Sequence, residues 1–259
     1  MRRVHYRLML GTAFLAAMGL TLIVFKTQLS SYKAVPERSL DSYQQADGPL
    51  AVDSWDPRMV LLDAWERALI PVASEFSAPL GSGNGAMTYN AQAFMDPNAA
   101  RGGNHSGDDL NGIGGMNTDL GDAVYAAADG LVVYSGVPSA GWGGVMILAH
   151  RLPDGQIVQS FYGHLGDRYF LTGDVVGRGE IISVLGTALA STAAHLHFEM
   201  ISSAALEAGQ PGYLALAGNR LNPSEFLKQH PAADPNQISL LAIRPSVEQR
   251  YETSTPKSE

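Results

Sequence analysis

Short segments between residues 123 and 200, separated by glycines, are either apolar throughout or alternate between apolar and polar residues. The segments are Ala123–Ala128, Leu131–Tyr134, Val145–Ala149, Ile157–His164, Ile181–Leu185 and His195–Met200. Alternation with a period of two is typical of β-strands. Turn-forming residues lie between them, at Asp129-Gly130, Asp154-Gly155 and Gly177-Arg178-Gly179. The pattern predicts an all-β domain, an antiparallel β-sandwich or barrel, and disfavours a doubly wound sheet because no long helices alternate with these strands.

An uncharged, mostly apolar run from Leu8 to Phe25 follows three arginines. As a helix it is about 27 Å long, enough to cross the hydrocarbon core of a membrane. No Ala-x-Ala-like site follows, which favours a retained anchor over a cleaved signal peptide and a secreted protein. The positive-inside rule leaves the N-terminus in the cytoplasm. We expect a single-pass membrane protein that enters the membrane through residues 8–25, with the rest outside the cytoplasm.

Short helices are predicted on both sides of the β-rich region. Asp56-Pro57 resembles a helix start, and apolar spacing predicts an amphipathic helix from Pro57 to about Ile70. Its apolar stripe is expected to pack on the main domain; contact with the membrane surface or cover for an active-site groove are alternatives. A second short helix starts at Asn222-Pro223. The chain thus divides into a cytoplasmic N-terminus and anchor (1–30), a tether with the first helix (31–75), the β-rich domain (76–229) and a loose, polar tail (230–259).

Composition narrows the possible chemistry. The chain has 259 residues, a formal net charge of −8 and no basic cluster beyond the N-terminus, so a nucleic-acid partner is disfavoured. Cysteine is absent. Disulfides, thiolate metal sites and a cysteine nucleophile are therefore excluded, and any metal must use His, Asp or Glu.

The segment Ala194–Met200 is the strongest candidate for chemistry. In a strand, His195, His197 and Glu199 share one face, predicted to be solvated, and Leu196, Phe198 and Met200 share the other. Two imidazoles on one face suit metal binding or proton transfer, although paired surface histidines are the alternative. For Glu199 a structural salt bridge is the preferred interpretation and a hydrogen bond to a ligand histidine the alternative.

Two further pieces lie upstream. His105 and Asp109, in a glycine-rich loop leading into a strand, together with His195 or His197 offer three nitrogen or oxygen ligands. That set is typical of a catalytic zinc site with one open position; taken alone, the aspartates here are more typical of turn capping. His164 ends an alternating segment and suits general acid or base chemistry, or is an ordinary surface histidine.

The ordered set of these pieces resembles the lysostaphin/LytM-type zinc metallopeptidases, which cleave peptides of bacterial cell walls. The resemblance covers about residues 76–200 and rests on these segments: His105–Leu110, Ala128–Val132 with Gly136, Tyr162–Leu165, Gly173 and Val176 with Gly179, and His195–Glu199. It implies His105, Asp109 and His197 as Zn²⁺ ligands. It also implies His164 and His195 as the pair that orients or deprotonates the attacking water and stabilises the oxyanion.

The resemblance therefore implies a zinc endopeptidase of the bacterial inner membrane, facing the periplasm, that hydrolyses cross-links or stem peptides of peptidoglycan. Its protein partners are unknown. A non-catalytic LytM-like module that binds cell wall or activates another wall hydrolase is the alternative. A phosphorylated-histidine carrier and a structural zinc site are disfavoured, the latter because only three protein ligands are available. The glycine-rich segment between Asp109 and Ala123 is longer than the family pattern, which leaves substrate preference open.

Overall fold

The computed structural model describes residues 60–209 and 211–242. Every pairing between its named strands is antiparallel. The strands are β1 Val60–Leu61, β2 Thr88–Gln92, β3 Pro97–Asn98, β4 Gly103–His105, β5 Asp108–Gly112, β6 Ala123–Tyr125, β7 Gly130–Gly136, β8 Gly144–Arg151, β9 Ile157–Arg168, β10 Val175–Val176, β11 Ile181–Leu185, β12 Leu196–Ile201, β13 Ala205–Leu206, β14 Tyr213–Leu214 and β15 Arg220–Leu221. The helices are α1 Ala64–Leu69 and α2 Pro223–Gln229, and a 3-10 turn spans Leu240–Ala242. The predicted all-β, antiparallel class is confirmed for these residues.

One large sheet carries most of the described domain. Its main strand order is β10-β7-β8-β9-β12-β5-β2; β11 joins β9 and β6, and β15 joins β12. A two-stranded sheet, β1-β13, and a three-stranded sheet, β14-β4-β3, lie beside it. The long strands β8, β9 and β12 are thus interior strands, flanked on both sides.

Both faces of the large sheet are covered. Alternate residues of β8 divide between two apolar clusters: Met146 and Leu148 join a cluster with Phe198, whereas Ile147 joins a cluster with Trp142. Strands covered on both faces lose the alternation between apolar and polar residues that marks a half-exposed sheet. This explains why β8 is buried along nearly its whole length.

The prediction that His195, His197 and Glu199 share a solvated face is wrong for His197 and Glu199, whereas His195 is partly exposed. His197 is 2% exposed and Glu199 is 0% exposed. The rings of Trp142 and Phe161 pack edge-on against the His197 ring, at centroid distances of 4.9 and 6.1 Å. The side chain of Arg220 contacts Glu199. Residues distant in sequence cover this face, so the local pattern did not reveal its burial.

The first helix begins later than predicted. Its cap is Asp63, whose side chain accepts a hydrogen bond from the Glu66 amide (2.7 Å) while the Glu66 side chain accepts one from the Asp63 amide (2.9 Å). This capping box fixes the start of α1. The expected helix Pro57–Ile70 is therefore wrong at its N-terminal end, because Val60–Leu61 pairs as a strand with β13.

The apolar side chains in and next to α1 pack on the domain only in part. Leu62 and Ile70, on either side of the helix, are buried in the Trp142 cluster. Trp65 and Leu69, within it, are 72% and 43% exposed. Trp65 and Leu69 are one turn apart and so share the exposed side of this six-residue helix, whereas the residues just before and after the helix are the buried ones.

The first part of the predicted loose tail lies against the domain. His230 caps the end of α2, where its ring stacks on Phe226 at a centroid distance of 4.2 Å. Further on, the Ser239 amide donates a hydrogen bond to the Arg178 carbonyl (2.9 Å). These contacts extend the domain beyond the expected boundary at residue 229, up to the last described residue, Ala242.

The predicted anchor, residues 8–25, lies outside the described residues. Within residues 60–209 and 211–242, neither helix has the length and hydropathy that a membrane-spanning segment requires.

Candidate metal centre

Three elements bring the predicted ligands together. His105 is the last residue of β4, Asp109 is the second residue of β5, and His197 lies in β12. Asp109 and His197 are direct cross-strand neighbours. Only Ser106 and Gly107 separate β4 from β5, so the chain turns sharply enough to bring His105 back to Asp109. The sequence predicted a loop leading into a strand here; the structure instead places His105 in one strand and Asp109 in the next, with only two residues between the strands.

The three candidate ligand atoms form a small triangle. Nε2 of His105 lies 3.1 Å from Nδ1 of His197 and 3.2 Å from Oδ1 of Asp109, and the third side, from His197 to Asp109, is 3.0 Å. Tetrahedral Zn²⁺ with ligands at about 2.0–2.1 Å needs ligand atoms about 3.3 Å apart. Two imidazole nitrogens and one carboxylate oxygen at this spacing fit zinc in both chemistry and size, and leave a fourth position for substrate or water.

A buried carboxylate orients His197. Nε2 of His197 lies 2.9 Å from Oε1 of Glu199, which also accepts a hydrogen bond from the Ser106 hydroxyl (2.6 Å). Arg220 approaches the other oxygen of Glu199 (3.4 Å) and also contacts Glu207 (2.9 Å). Glu199 therefore makes both contacts considered from the sequence, the hydrogen bond to a ligand histidine and the salt bridge. A partner of this kind fixes the ring orientation of a ligand histidine.

The electrostatics favour an ionised carboxylate among the ligands. Burial raises the pKa of Asp109, but hydrogen bonds with His105 and His197 outweigh it and hold that pKa far below its ordinary value. Burial lowers the pKa of His197, but its hydrogen bonds to Asp109 and Glu199 outweigh burial and raise the pKa to about 9. Asp109 is thus anionic at neutral pH, as a metal ligand must be.

His164 reaches the site through an irregularity of the sheet. Its neighbour Gly163 pairs with His197, so strict alternation would turn the His164 side chain to the face of the sheet opposite His197. The β8–β9 register shifts at this point, and His164 has a φ of 61°. A bulge of this kind redirects a side chain and is frequent next to active sites. The bulge places the His164 ring beside the His195 ring, at a centroid distance of 4.6 Å.

Backbone carbonyls set the tautomers of His164 and His195. Nδ1 of His164 lies 3.1 Å from the Trp142 carbonyl, and Nδ1 of His195 lies 2.8 Å from the Ala193 carbonyl. A carbonyl only accepts, so Nδ1 of each ring carries a proton, and Nε2 is the nitrogen turned toward the site. Nε2 of His195 lies 3.6 Å from Oδ1 of Asp109. Burial lowers the pKa of His164 to about 3, so its ring is neutral at pH 7.

All five side chains line one open cleft of about 490 Å³. Trp142 forms part of its wall: the indole stacks on His164 at 5.3 Å. Tyr213 packs on His105 at 5.5 Å. The rest of the described lining is mostly polar: Gln92, Asn98, Arg101, Ser139, Gly141, Thr192, Pro211 and Gly212.

The structure therefore brings together every residue that the sequence singled out for zinc chemistry; their roles stay predictions. Sequence reasoning missed Trp142, Tyr213 and Arg220, which cover or support the histidines. None of them belongs to the His and Asp motifs, and each comes close only through the fold. Ser106 stood inside the quoted motif, but its contact with Glu199 had no local signal.

Part of the chain matches a known protein family. Residues 105–211 match the family model described as Peptidase family M23. The match begins at His105 and includes all five residues discussed above. No curated protein sequence matches the chain.

Solved structures give distant similarities. Lysostaphin from Staphylococcus simulans, an antimicrobial peptidase, is 26% identical with a TM-score of 0.42, over 63% of this chain and 57% of that chain. Its catalytic domain, crystallised without phosphate, is 27% identical with a TM-score of 0.40, over 54% of this chain and 91% of that chain. A zinc-containing peptidase from Vibrio cholerae is 24% identical with a TM-score of 0.41, over 54% and 41%. The chain thus spans less than two thirds of whole lysostaphin. The similarity to Peptidase family M23 is that of residues 105–211 to the family model.

Proposed function

We propose that this chain, a member of Peptidase family M23 through residues 105–211, is a membrane-anchored zinc endopeptidase that hydrolyses peptide cross-links or stem peptides of bacterial peptidoglycan. The family match confirms the resemblance to lysostaphin/LytM-type peptidases. The observation that carries the proposal is the convergence of three ligand atoms within 3.2 Å of one another beside two imidazoles whose Nε2 atoms are turned toward the site.

The ligands would hold the metal with a net charge of +1. His105 and His197 contribute neutral nitrogens and Asp109 one negative charge, while Glu199 holds the His197 ring in place. Bound there, Zn²⁺ supplies Lewis acidity, which polarises the scissile carbonyl and lowers the pKa of a water molecule toward about 7.

His164 and His195 handle protons and charge at the scissile bond. In its neutral form, each ring accepts a hydrogen bond from the attacking water at Nε2. We assign the proton transfer to His195, because an imidazolium formed there is stabilised by Asp109, 3.6 Å away. The protonated ring then gives the proton to the leaving amine. Trp142 keeps His164 oriented through its carbonyl and its ring.

The cleft suits an extended peptide with acidic groups. Gln92, Asn98 and Thr192 offer amide and hydroxyl groups to a peptide backbone. Arg101 stands in the wall with its guanidinium 5.9 Å from the Tyr213 ring centre, and the described residues give it no carboxylate partner. An arginine in this position favours a substrate that carries carboxylates, as peptidoglycan stem peptides do.

The location is part of the same proposal. Residues 8–25 would anchor the chain in the inner membrane and keep the peptidase domain in the periplasm, near the wall. The complete set of ligands and the open cleft favour catalysis over a non-catalytic wall-binding or activating role.

Mass spectrometry of purified peptidoglycan tests the activity. Zinc-loaded full-length protein in detergent should release cross-linked muropeptides as smaller products and so identify the bond that is cut. His105→Ala is the control and should release none. If the wild type binds zinc but cleaves no peptidoglycan, the proposed endopeptidase activity is wrong, and a role as activator of another wall hydrolase is favoured.

Two substitutions separate metal binding from proton transfer. Asp109→Ala should lose both zinc and activity, because one of three ligands is gone. His195→Ala should keep about one zinc per chain and lose about 100-fold or more in kcat, the range for removal of an acid–base group. Full zinc occupancy in Asp109→Ala would show that the ligand assignment is wrong.

A further inference from the structure

Two asparagine side chains hold the residue that precedes His195. The side-chain amide of Asn111 donates a hydrogen bond to the Ala194 carbonyl (3.0 Å), and the Ala194 amide donates one to Oδ1 of Asn117 (2.8 Å). Both polar groups of the Ala194 residue are thereby satisfied by side chains. We propose that Asn111 and Asn117 are positioning residues that fix the His195 imidazole in the cleft; this rests on the proton-transfer role proposed above for His195.

The place of Ala194 in the sheet explains why such support is needed. Strand β12 begins to pair with β5 at Leu196 and with β9 at His197. Ala194 and His195 lie before the first pair of either ladder. The two asparagines therefore take over, for this residue, the hydrogen bonds that a neighbouring strand gives within a sheet.

The segment before Ala194 gives His195 little support of its own. Ala188, Leu189 and Ala190 have φ values of 46°, 55° and 67°. This left-handed conformation costs about 1–2 kcal/mol per residue without glycine. The turn is closed by local hydrogen bonds, including Ser191 Oγ to the Ala188 carbonyl (2.7 Å). A strained, irregular turn does not fix the direction of the chain that follows it as a strand does. The Asn111 and Asn117 contacts therefore hold the main chain from which His195 extends, and the Ala193 carbonyl then orients its ring.

The two asparagines join separate parts of the site. Asn111 lies in β5, two residues after the ligand Asp109, and is 7% exposed. Asn117 is exposed and lies in the glycine-rich segment between β5 and β6, the part of the chain that departs from the family pattern. This glycine-rich segment thus has a structural role: it brings Asn117 to the residue that precedes His195, just before strand β12.

The direction of each hydrogen bond makes the proposal testable. The Ala194 amide only donates, so Asn117 must present its carbonyl oxygen; the Ala194 carbonyl only accepts, so Asn111 must present its NH₂ group. Asn117→Asp keeps an acceptor and should be tolerated. Asn111→Asp replaces the donor with a carboxylate facing a carbonyl, and should be damaging. The same chemical change has opposite expected outcomes at the two positions.

The first experiment measures kinetics on purified peptidoglycan and zinc content for the full-length chain. Asn117→Ala should keep about one zinc per chain with KM unchanged and kcat lowered about 10-fold, since a misplaced catalytic group lowers turnover rather than binding. Asn117→Asp should restore kcat to within about 3-fold of the wild type, a loss smaller than that of one hydrogen bond. Asn236→Ala is the matched control, because exposed Asn236 likewise accepts a backbone hydrogen bond, from the Gly83 amide (3.0 Å), without lining the cleft.

The second experiment does not depend on activity. By NMR, the Ala194 amide proton should exchange about 3- to 10-fold faster in Asn117→Ala, and the contact between the His164 and His195 rings should weaken; Asn117→Asp and Asn236→Ala should change neither. If the wild type fails to cleave peptidoglycan, these measurements still judge the positioning. Unchanged ring contacts and kcat in Asn117→Ala, or equal losses in Asn117→Ala and Asn117→Asp, would overturn the proposal. The result for Asn111→Asp counts only if this variant binds zinc and unfolds cooperatively. The comparison of Asn117→Ala with Asn117→Asp tests the proposal in either case.

Discussion

At the scale of single residues, the candidate metal centre depends on partners that never touch the metal. Glu199 holds His197 through Nε2 and is itself held by Ser106 and Arg220. Hydrogen bonds from these groups oppose the cost of burying its charge and lower its pKa, although burial alone raises it. The carboxylate is therefore ionised, and it accepts a hydrogen bond from Nε2–H of His197, which turns Nδ1 of the same ring toward Asp109 and His105.

Glu199→Gln should weaken zinc binding by about 10- to 100-fold, the usual effect of removing such a partner. Glu207→Gln is the control, since Glu207 contacts the same arginine but no ligand histidine. Competition titration with a zinc chelator measures both. Equal losses in the two variants would attribute the effect to Arg220 rather than to His197.

His150 is a buried histidine outside the site, and it makes the stability of the fold depend on pH. His150 is completely buried; its Nδ1 donates to the Asp129 carbonyl (2.7 Å) and its Nε2 lies 2.7 Å from Oγ of Ser160, which is 3.0 Å from the Tyr162 hydroxyl. Burial outweighs the contacts with Asp129 and lowers the pKa of His150 to about 4. The folded protein thus holds this ring neutral at a pH where the unfolded chain protonates it.

His150 makes the free energy of unfolding depend on pH, because the folded and unfolded states bind different numbers of protons at this residue. Between pH 6.5 and 4 the unfolded state binds the extra proton, so the free energy of unfolding falls as the pH falls, and above pH 6.5 His150 has no effect. Urea unfolding at pH 7 and pH 5 should differ by about 2 kcal/mol more in the wild type than in His150→Gln. The same pH dependence in both proteins would contradict this.

At the scale of elements, the site is built where β4, β5 and β12 meet, and glycine makes that meeting possible. A Cβ on Gly107 would lie 2.3 Å from the Phe198 carbonyl oxygen and 2.8 Å from Cγ of Glu199. No side chain fits there without moving β5 and β12 apart. The separation between these strands sets the distance from Asp109 to His197.

Gly107→Ala should therefore lower the free energy of unfolding by about 1–3 kcal/mol, the usual cost of overpacking, and weaken zinc binding as well. Gly209→Ala is the control, because a Cβ at Gly209 meets no atom within 4 Å. Urea unfolding and zinc titration of both variants give the comparison. If Gly107→Ala has the wild-type free energy of unfolding and zinc affinity, β5 and β12 can move apart without disturbing the metal centre, and the prediction is wrong.

At the scale of the whole molecule, the proposed function requires the peptidase domain to reach the cell wall from a membrane anchor. Residues 26–59 lie between the apolar run and the first described strand. In the proposal this stretch would let the domain reach the wall, since a fully extended chain can cover about 3.3 Å per residue.

Cell fractionation checks the anchor. A full-length protein with an N-terminal tag should sediment with the membranes and stay there in alkaline carbonate, whereas a variant lacking residues 8–25 should be soluble. Protease added to spheroplasts should degrade the peptidase domain. A soluble wild-type protein that has lost its tag would show instead that the run is a cleaved signal peptide.

The sequence alone determined the features that depend on local order. Short apolar or alternating segments located the main strands, because strands are short and are bounded by turn-forming residues. The types and order of His105, Asp109, His164, His195 and His197 indicated zinc chemistry, because ligand chemistry depends on residue type.

Tertiary structure decided what depends on distant neighbours. The face that carries His197 and Glu199 is buried because Trp142 and Arg220, remote in sequence, cover it. His164 enters the cleft because a bulge breaks the alternation that local pattern assumes. Burial, register and bulges arise from packing between segments, and no short stretch of sequence contains the segment it will pack against.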